Sequence, residues 1–481
     1  MKSENTIVSS MFWKFMERGA AQLFSMVVQI VLARLLAPED FGTLAILLVF
    51  VNISNVLIQK GFATSLVQKA KVSDIELNTT LAFSEAVALL LYVILWIAGP
   101  AIEHFYKTDN LTLYIRIISV TLFSGAFYSI ENAVMIRKMR FKQMFYSSFL
   151  ATIIGGATGV ACACAGLGCG ALIAQNVVQQ VLLVLFSYPF SKWKIRREFD
   201  KEVFKNVFGF GSNVLISELM YTGVENIRTL LIGARYSSTD LAYYDRGQTY
   251  PSVAMRSIYD TLGSVLLPIF SKDQSNKEEL KRKVYYALGT SLYLIAPVFV
   301  GLALVADSFT VVFLSEKWLP SVPYLRVFCI YQLGILPYCI LRNVIYSLGK
   351  GKESLLLETV KSVTTLLAII VGIYIGPFSI AILSTIAVWA SVVLYLACAE
   401  HFVHFGSFSL IQEIARVILY CAGMAAVVAI VNNIVLQPIL CLVASILSGA
   451  VTYLVLSILC KDPFFRILCN RLKQRRNEHN F

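Results

Sequence analysis

Polar and charged side chains recur at helical spacing inside apolar segments of this 481-residue chain. In the first segment, one helix face would carry Lys14, Arg18, Gln22, Ser25 and Gln29, with Glu17 at its border. The second segment would carry the amides Asn52, Asn55 and Gln59 on one face. Both segments therefore predict helices with a hydrophilic side in apolar surroundings.

The same design returns in the second half of the chain. One segment there carries Asn213, Ser217, Tyr221, Glu225 and Arg228, and the next carries Ser252, Arg256, Asp260 and Ser264. An ionisable side chain near the centre of a bilayer costs about 2.5–3.5 kcal/mol on insertion scales, so it should face a cavity or a partner. The matched stripes predict one shared, water-filled cleft.

Arginine suits phosphate, because its planar guanidinium forms paired, charge-assisted hydrogen bonds. A cleft with Arg18, Arg228 and Arg256 is predicted to hold an anionic, phosphate-bearing headgroup. The remaining residues predicted to line that cleft are Lys14, Gln22, Gln29, Asn52, Asn55, Gln59, Asn213 and Tyr221. The acidic neighbours Glu17, Glu225 and Asp260 could bind Na⁺ or H⁺ and couple transport to an ion gradient.

Structural interpretations of the same residues stay open. Lys14 lies near a predicted helix end and could extend its ammonium group to the interface. Each arginine has an acidic residue close by in sequence, so local ion pairs could form: Glu17 with Arg18, Glu225 with Arg228, and Asp260 with Arg256. The stripes as a whole indicate a cavity more strongly than any single residue does.

The composition predicts the elements that position these stripes. The chain is 57% hydrophobic and 15% charged, whereas soluble domains carry about 25% charged residues. Fourteen apolar runs of membrane-spanning length follow one another along the chain, without the alternation of barrel strands. We therefore predict an all-α integral membrane protein with about 14 transmembrane helices.

The net charge of +12 comes from basic residues in the short loops. Loops with many Lys and Arg residues alternate along the chain with loops that have few. This pattern predicts a multi-pass protein with both termini in the cytoplasm. Nucleic-acid binding is not expected, since basic patches with interleaved aromatic residues are missing from the sequence. Cys162, Cys164 and Cys169 cluster near one predicted hairpin, where they are interpreted as small packing residues.

An internal repeat divides the chain. Residues 34–42 and 235–242 resemble each other, and they place Asp40 and Asp240 at matching points, each between two apolar segments. We predict two six-helix lobes at 1–200 and 201–402, two additional helices at 403–462 and a basic cytoplasmic tail at 463–481. The loops are too short for a soluble catalytic domain, and no P-loop, zinc or nucleophile motif is present, so neither an enzyme nor a metal site is expected.

Several segments carry a family resemblance in their order and spacing: residues 32–42 (LARLLAPEDFG), 61–68 (GFATSLVQ), 137–141 (RKMRF), 267–271 (LPIFS) and 316–323 (EKWLPSVP). Together they resemble the Wzx-type polysaccharide flippases of the multidrug/oligosaccharidyl-lipid/polysaccharide (MOP) superfamily. The similarity is to the branch that exports teichuronic or colanic acid. At 242–244 the sequence reads Ala-Tyr-Tyr, where relatives often have Gly before Tyr.

The resemblance implies a V-shaped pair of six-helix lobes, as in MATE and MurJ proteins. It also implies alternating access that carries an undecaprenyl-diphosphate-linked oligosaccharide across the bacterial inner membrane for O-antigen, capsule or exopolysaccharide synthesis. Arg18 and Arg256 stand where relatives have cavity cations that take the pyrophosphate and sugar. We expect a monomer, loosely associated with a polysaccharide polymerase and surrounded by membrane lipid, without a cofactor other than Na⁺ or H⁺.

Two other functions remain open. A cation-coupled, MATE-like drug exporter would share the fold, but it would favour an acidic, aromatic cavity over one rich in arginine. A membrane polysaccharide polymerase or ligase would require a large periplasmic loop with catalytic residues, and the sequence has no loop of that size.

Overall fold

The computed structural model describes residues 22–60, 66, 72–191, 193, 195–196, 199–274, 276–403 and 407–466. Side chains are described at only some positions within 204–225, 257–264 and 407–413.

Fourteen long helices follow one another in the described residues, and we number them in chain order. They are α1 Gln22–Leu35, α2 Pro38–Asn55, α3 Asp74–Tyr106, α4 Leu111–Arg137, α5 Phe141–Cys164, α6 Cys169–Ser191, α7 Lys201–Arg235, α8 Ser238–Lys272, α9 Lys277–Leu304, α10 Val322–Ser347, α11 Gly351–Ile375, α12 Pro377–Val403, α13 Ser407–Ile434 and α14 Pro438–Leu459. A short π-helix of five residues, Val56–Lys60, continues α2. A short α-helix, Ala306–Phe313, precedes α10.

Eleven described segments are long and apolar enough to cross a membrane. The other three helices are α1, of which the described part is short, and α7 and α8. The helices α7 and α8 carry polar stripes, and these polar residues lower their hydropathy. At a rise of about 1.5 Å per residue, the 35 residues of α7 exceed the roughly 30 Å of bilayer hydrocarbon. The prediction of an all-helical membrane protein is confirmed.

Packing divides the chain into two compact units, Met1–Ala242 and Tyr243–Phe481, so α8 begins in the first unit and continues in the second. In unit 1, α7 runs antiparallel to α2. A Cβ added at Gly233 of α7 would lie 3.0 Å from the side chain of Ile46 in α2. The predicted division into lobes at residues 200 and 402 stays a prediction.

The repeated segments are helix starts in the structure. Asp40 accepts a hydrogen bond from the backbone N–H of Ala37 at 3.0 Å, and Asp240 accepts one from Ser237 at 3.2 Å. Each aspartate thereby caps the first turn of the second helix of its repeat. The two starts also touch, because a Cβ added at Gly42 would lie 1.7 Å from the carbonyl oxygen of Ser238. Only glycine permits this backbone approach.

In unit 2, α10 packs against α9, α11 and α12. An apolar cluster joins α9 to α13 and α14, and the hydroxyl of Tyr453 in this cluster donates to the carbonyl of Tyr293 at 2.8 Å. The chain that follows α14 is fixed to this cluster. Asp462 accepts a hydrogen bond from the Tyr420 hydroxyl at 3.2 Å, and Phe464 is 1% exposed.

Candidate functional site

Seven predicted site residues have no described side chain. Lys14, Glu17 and Arg18 lie outside the described residues altogether. Asn213, Tyr221 and Glu225 lie on α7 and Asp260 lies on α8, within the stretches where only the helical backbone is described at their positions. Their roles therefore stay predictions.

The three amides predicted to share one face lie at the end of α2 and in the π-helix that follows it. Asn52 is exposed, while Asn55 and Gln59 are half-buried. The side-chain N–H of Gln59 donates to the Asn55 oxygen at 2.9 Å. A Cβ added at Gly125 of α4 would lie 2.7 Å from Gln59 Nε2 and 2.8 Å from Asn55 Oδ1. The absence of a side chain at Gly125 therefore gives this amide pair the space it occupies.

Arg228 on α7 is buried, with 8% of its surface exposed. Gly233 of the same helix faces Ile46 of α2. By helix rise, Arg228 lies about 7.5 Å further toward the start of α7, and Asn52 lies about 9 Å further toward the end of α2. Because the two helices are antiparallel, Arg228 and Asn52 lie at similar depth in unit 1.

The remaining predicted residues are not brought into this group by the described contacts. Gln22 is exposed at the described start of α1, and Gln29 is half-buried about two turns further along the same helix. Arg256 is exposed on the part of α8 that belongs to unit 2. Within the described part of the chain, no three His, Cys, Asp or Glu side chains group closely enough to hold a metal ion.

Two acidic residues of unit 1 escaped the sequence analysis. Glu131 on α4 is 0% exposed, and neither of its carboxylate oxygens has a hydrogen-bond partner among the described residues. Glu85 on α3 is half-buried, and its Oε1 atom is buried without a partner there. The cost of a charge within a span is the signal that could have identified both, but neither acid belongs to a polar stripe, because each stands singly in an apolar helix.

A carboxylate in unit 2 has the opposite surroundings. Glu358 on α11 accepts hydrogen bonds from the hydroxyls of Tyr338, at 2.5 Å, and Tyr395, at 3.1 Å. The guanidinium of Arg342 lies 3.8 Å from one Glu358 oxygen, and the ammonium of Lys361 lies 3.7 Å from the other. These five residues, called here the Glu358 cluster, come from α10, α11 and α12. One carboxylate thus shares its charge between two cations.

Aromatic rings enclose the cations of the Glu358 cluster. The guanidinium carbon of Arg342 lies 5.4 Å from the ring centre of Tyr259 and 5.7 Å from that of Tyr346. The Lys361 ammonium lies 4.0 Å from the ring centre of Tyr338. Ring faces attract cations, so these contacts offset part of the lost hydration of both groups. Helical spacing accounts for the contacts within α10 and within α11, such as Glu358 with Lys361, but the contacts between α8, α10, α11 and α12 arise only through helix packing.

Comparison with known proteins relates this chain to a protein family. Residues 31–323 match the model of a family described as polysaccharide biosynthesis protein. The chain is 24% identical over 305 residues to the teichuronic acid biosynthesis protein TuaB of Bacillus subtilis, across 63% of this chain and 62% of that protein. It is 22% identical to the lipopolysaccharide biosynthesis protein WzxC of Escherichia coli, again across 63% and 62%. The match thus spans less than two thirds of these relatives.

Two solved structures have the same fold. The lipid II flippase MurJ, in an inward closed conformation, matches with a TM-score of 0.72 and 14% identity, across 95% of this chain and 99% of that chain. An inward-facing multidrug resistance MATE family transporter of the MOP superfamily matches with a TM-score of 0.60 and 15% identity, across 81% and 96%. At such low identity the likeness shows the fold alone.

Proposed function

We propose, from the premise that this chain belongs to the family of polysaccharide biosynthesis proteins, that it carries a lipid-linked oligosaccharide across the bacterial cytoplasmic membrane. The family match covers residues 31–323, which is more than half of the 481-residue chain. The names of relatives concern teichuronic acid and lipopolysaccharide synthesis. A shared fold with a lipid II flippase supports a cargo with a lipid anchor.

The observation that carries this proposal is a buried arginine at the same depth in unit 1 as three side-chain amides. Arg228 lies inside unit 1 at the depth of Asn52, and the Asn55–Gln59 pair lies one turn away. Guanidinium groups bind phosphate with paired, charge-assisted hydrogen bonds. Side-chain amides both donate and accept hydrogen bonds, as sugar hydroxyls require. This combination suits an undecaprenyl-diphosphate-linked glycan better than an apolar drug.

The proposed mechanism is alternating access. A polar cavity opens first to the inner leaflet and then to the outer leaflet, while the lipid tail stays in the bilayer. Without the protein, two phosphates and a glycan would have to cross hydrocarbon without hydrogen-bond partners. Arg18 and Arg256 would take the pyrophosphate together with Arg228, and the amides would take the sugar. The protein would act as a transporter and not as an enzyme.

We also propose an orientation, an oligomeric state and an ion coupling for the protein. Both termini would lie in the cytoplasm, and the protein would work as a monomer in loose association with a polysaccharide polymerase. Na⁺ or H⁺ would drive the cycle. The loop charges support the orientation.

A second function, drug export coupled to a cation, is favoured by one observation. Unit 1 contains the buried acid Glu131 and the half-buried acid Glu85, and the fold is also that of a multidrug transporter. Acidic groups inside a cavity would attract cationic drugs. The two functions differ in cargo, so one assay with both cargoes separates them.

The test is transport by purified protein in liposomes, with a fluorescent undecaprenyl-diphosphate oligosaccharide in one arm and a cationic dye in the other. Wild-type protein should move the glycan, and R228A should reduce its rate by about tenfold or more, the loss expected when a charged hydrogen-bond partner is removed. R235A, at an exposed position on the same helix, is the matched control and should move glycan normally. Dye movement without glycan movement would overturn the proposal.

A further inference from the structure

Glu131 is the most completely enclosed of the described acidic residues of unit 1. It lies six residues before the end of α4, or about 9 Å along the helix. Its exposure is 0%, and both carboxylate oxygens lack a hydrogen-bond partner within the described parts of the chain. The flanking side chains of Ile130 and Val134 pack with Leu77 and Leu81 of α3 in an apolar cluster.

An ionised carboxylate is too costly in such a place. Burial of a charge without a partner costs far more than burial of a neutral group, and the group takes up a proton instead. Sodium would require several oxygen ligands, but Glu131 belongs to no group of three or more His, Cys, Asp or Glu side chains within the described residues. A proton needs only the carboxylate itself. The surroundings therefore select a proton as the ligand of Glu131 in this conformation.

Charged groups on the neighbouring helices do not change this conclusion. The helix α6 has no Asp, Glu, Lys or Arg along its length, and its titratable groups are Cys169 and Tyr188 near its two ends. The helix α2 has its acids, Glu39 and Asp40, in its first turn, and Lys60 closes the π-helix. The titratable residues of α5 are Lys142, Tyr146, Cys162 and Cys164, all near its ends.

On α3, Glu85 lies within the span, while Asp74, Glu76, Glu103 and His104 lie near the ends, with Tyr92 and Tyr106 further along. On α4 itself, Tyr114 and Arg116 lie in the first turns, Tyr128 lies one turn before Glu131, and the Arg137 guanidinium donates to the Leu66 carbonyl at 2.8 Å. Among these groups Glu76 and Glu85 are the carboxylates nearest to Glu131 by helix register, because Leu77 and Leu81 of α3 share an apolar cluster with Ile130 and Val134. Neither offers Glu131 a compensating positive charge.

The π-helix at Val56–Lys60 connects this acid to the amide pair. Both α3 and α4 pack against it, and the hydroxyl of Ser84, next to Glu85, donates to the Ile58 carbonyl at 3.3 Å. Such π-helical turns within α-helices occur frequently at functional sites. For Glu131 to lose its proton, water must reach it, which requires α4 to separate from α3 or from this turn. That separation would also move Gly125 away from Asn55 and Gln59.

We propose that Glu131 is a proton-binding site whose loading and release are coupled to movement of the cargo. This inference rests on the proposed function for its second half, because coupling requires transport. The first half, that Glu131 holds a proton while it is enclosed, is independent of the cargo. Infrared spectroscopy measures the first half, and transport under a pH gradient measures the second.

The proton is measured by infrared difference spectroscopy of the purified protein in liposomes as the pH is raised. The band of a protonated carboxylic acid should disappear from the E131Q spectrum and remain in E278Q, a control at an exposed carboxylate in the first turn of α9. A band that is unchanged in E131Q would overturn the proposal. E131M, neutral and of similar length, replaces E131Q in both measurements if the amide variant does not fold.

Coupling is measured with the fluorescent glycan under an imposed pH gradient. If one proton accompanies each cargo, a gradient of one pH unit should shift the final distribution of glycan about tenfold in wild type and E278Q. E131Q should still equilibrate the glycan but ignore the gradient. A wild-type response in E131Q would overturn the coupling. If wild type moves no glycan while the infrared band behaves as described, the proposed function fails and the proton site stands.

Discussion

The two units bury a carboxylate within a membrane-spanning helix in opposite ways. Glu358 in unit 2 has two tyrosine hydroxyls and two cations around it. Glu131 in unit 1 has no partner in the described residues. Fixed partners neutralise the first acid permanently, whereas the second must be neutralised by a proton, which can leave. The comparison indicates that the Glu358 cluster holds helices together and that Glu131 responds to its surroundings.

The largest expected effect is on the stability of unit 2. E358Q removes the charge that Arg342 and Lys361 share, and leaves two cations together within the span. Breaking a fully buried pair costs about 3–5 kcal/mol, and the 29% exposure of the Glu358 side chain reduces this to about 2 kcal/mol. Thermal unfolding in detergent measures the loss against E278Q. An unchanged unfolding temperature would show that the cluster does not hold α10 to α11.

A smaller effect is expected at the glycine next to the amide pair. G125A introduces a Cβ at 2.7 Å from Gln59 Nε2 and 2.8 Å from Asn55 Oδ1, so the pair must shift. Because flexible side-chain ends can move, we expect a loss of about 1 kcal/mol, at the low end for overpacking. The rate of glycan transport should fall by a larger factor than the amount of folded protein does. Gly223 on α7, where an added Cβ meets no atom of the described residues within 4 Å, gives the matched control G223A.

The hydroxyl of Tyr395 is a finer probe of the Glu358 cluster. Tyr395 is 0% exposed, and its hydroxyl donates to Glu358 at 3.1 Å. Y395F removes this hydrogen bond and keeps the ring, so the expected loss is about 1 kcal/mol. Because Tyr338 and both cations remain, the loss should be smaller than that of E358Q. A larger loss than that of E358Q would mean that the ring, and not the carboxylate, organises the cluster.

The smallest stability effect is expected at Glu131. If its carboxyl group already carries a proton, E131Q replaces one neutral group with another of similar shape, and the change should stay within about 0.5 kcal/mol. The same unfolding measurement at neutral pH compares it with E358Q. A loss as large as that of E358Q would mean that Glu131 is ionised and paired, which contradicts the contrast between the two units.

Much of the fold followed from sequence because membrane spans are long and their signal is local. The apolar runs predicted the helices, and the repeat predicted the matching positions of Asp40 and Asp240, which the structure shows as two helix caps. The amide stripe of α2 followed from spacing in the same way. These features each depend on residues within one or two turns of each other.

The acids were missed because their importance is not local. Glu131 differs from a surface glutamate only by what packs around it, and the Glu358 cluster joins residues of three helices. The π-helix after Asn55 has no sequence signature that helix periodicity would reveal. Arg228 was predicted from its stripe, and its burial within unit 1 became visible only in the structure.

The central claim is that this protein moves a lipid-linked glycan from the inner to the outer leaflet. The most direct measurement is the sidedness of the undecaprenyl-diphosphate-linked glycan in membranes of cells with and without the protein, read by a glycan-cleaving enzyme that cannot cross the bilayer. Without the protein, we expect the glycan to accumulate on the cytoplasmic side. Equal amounts of glycan on the outer side in both cells, with no other transporter able to replace this one, would contradict it.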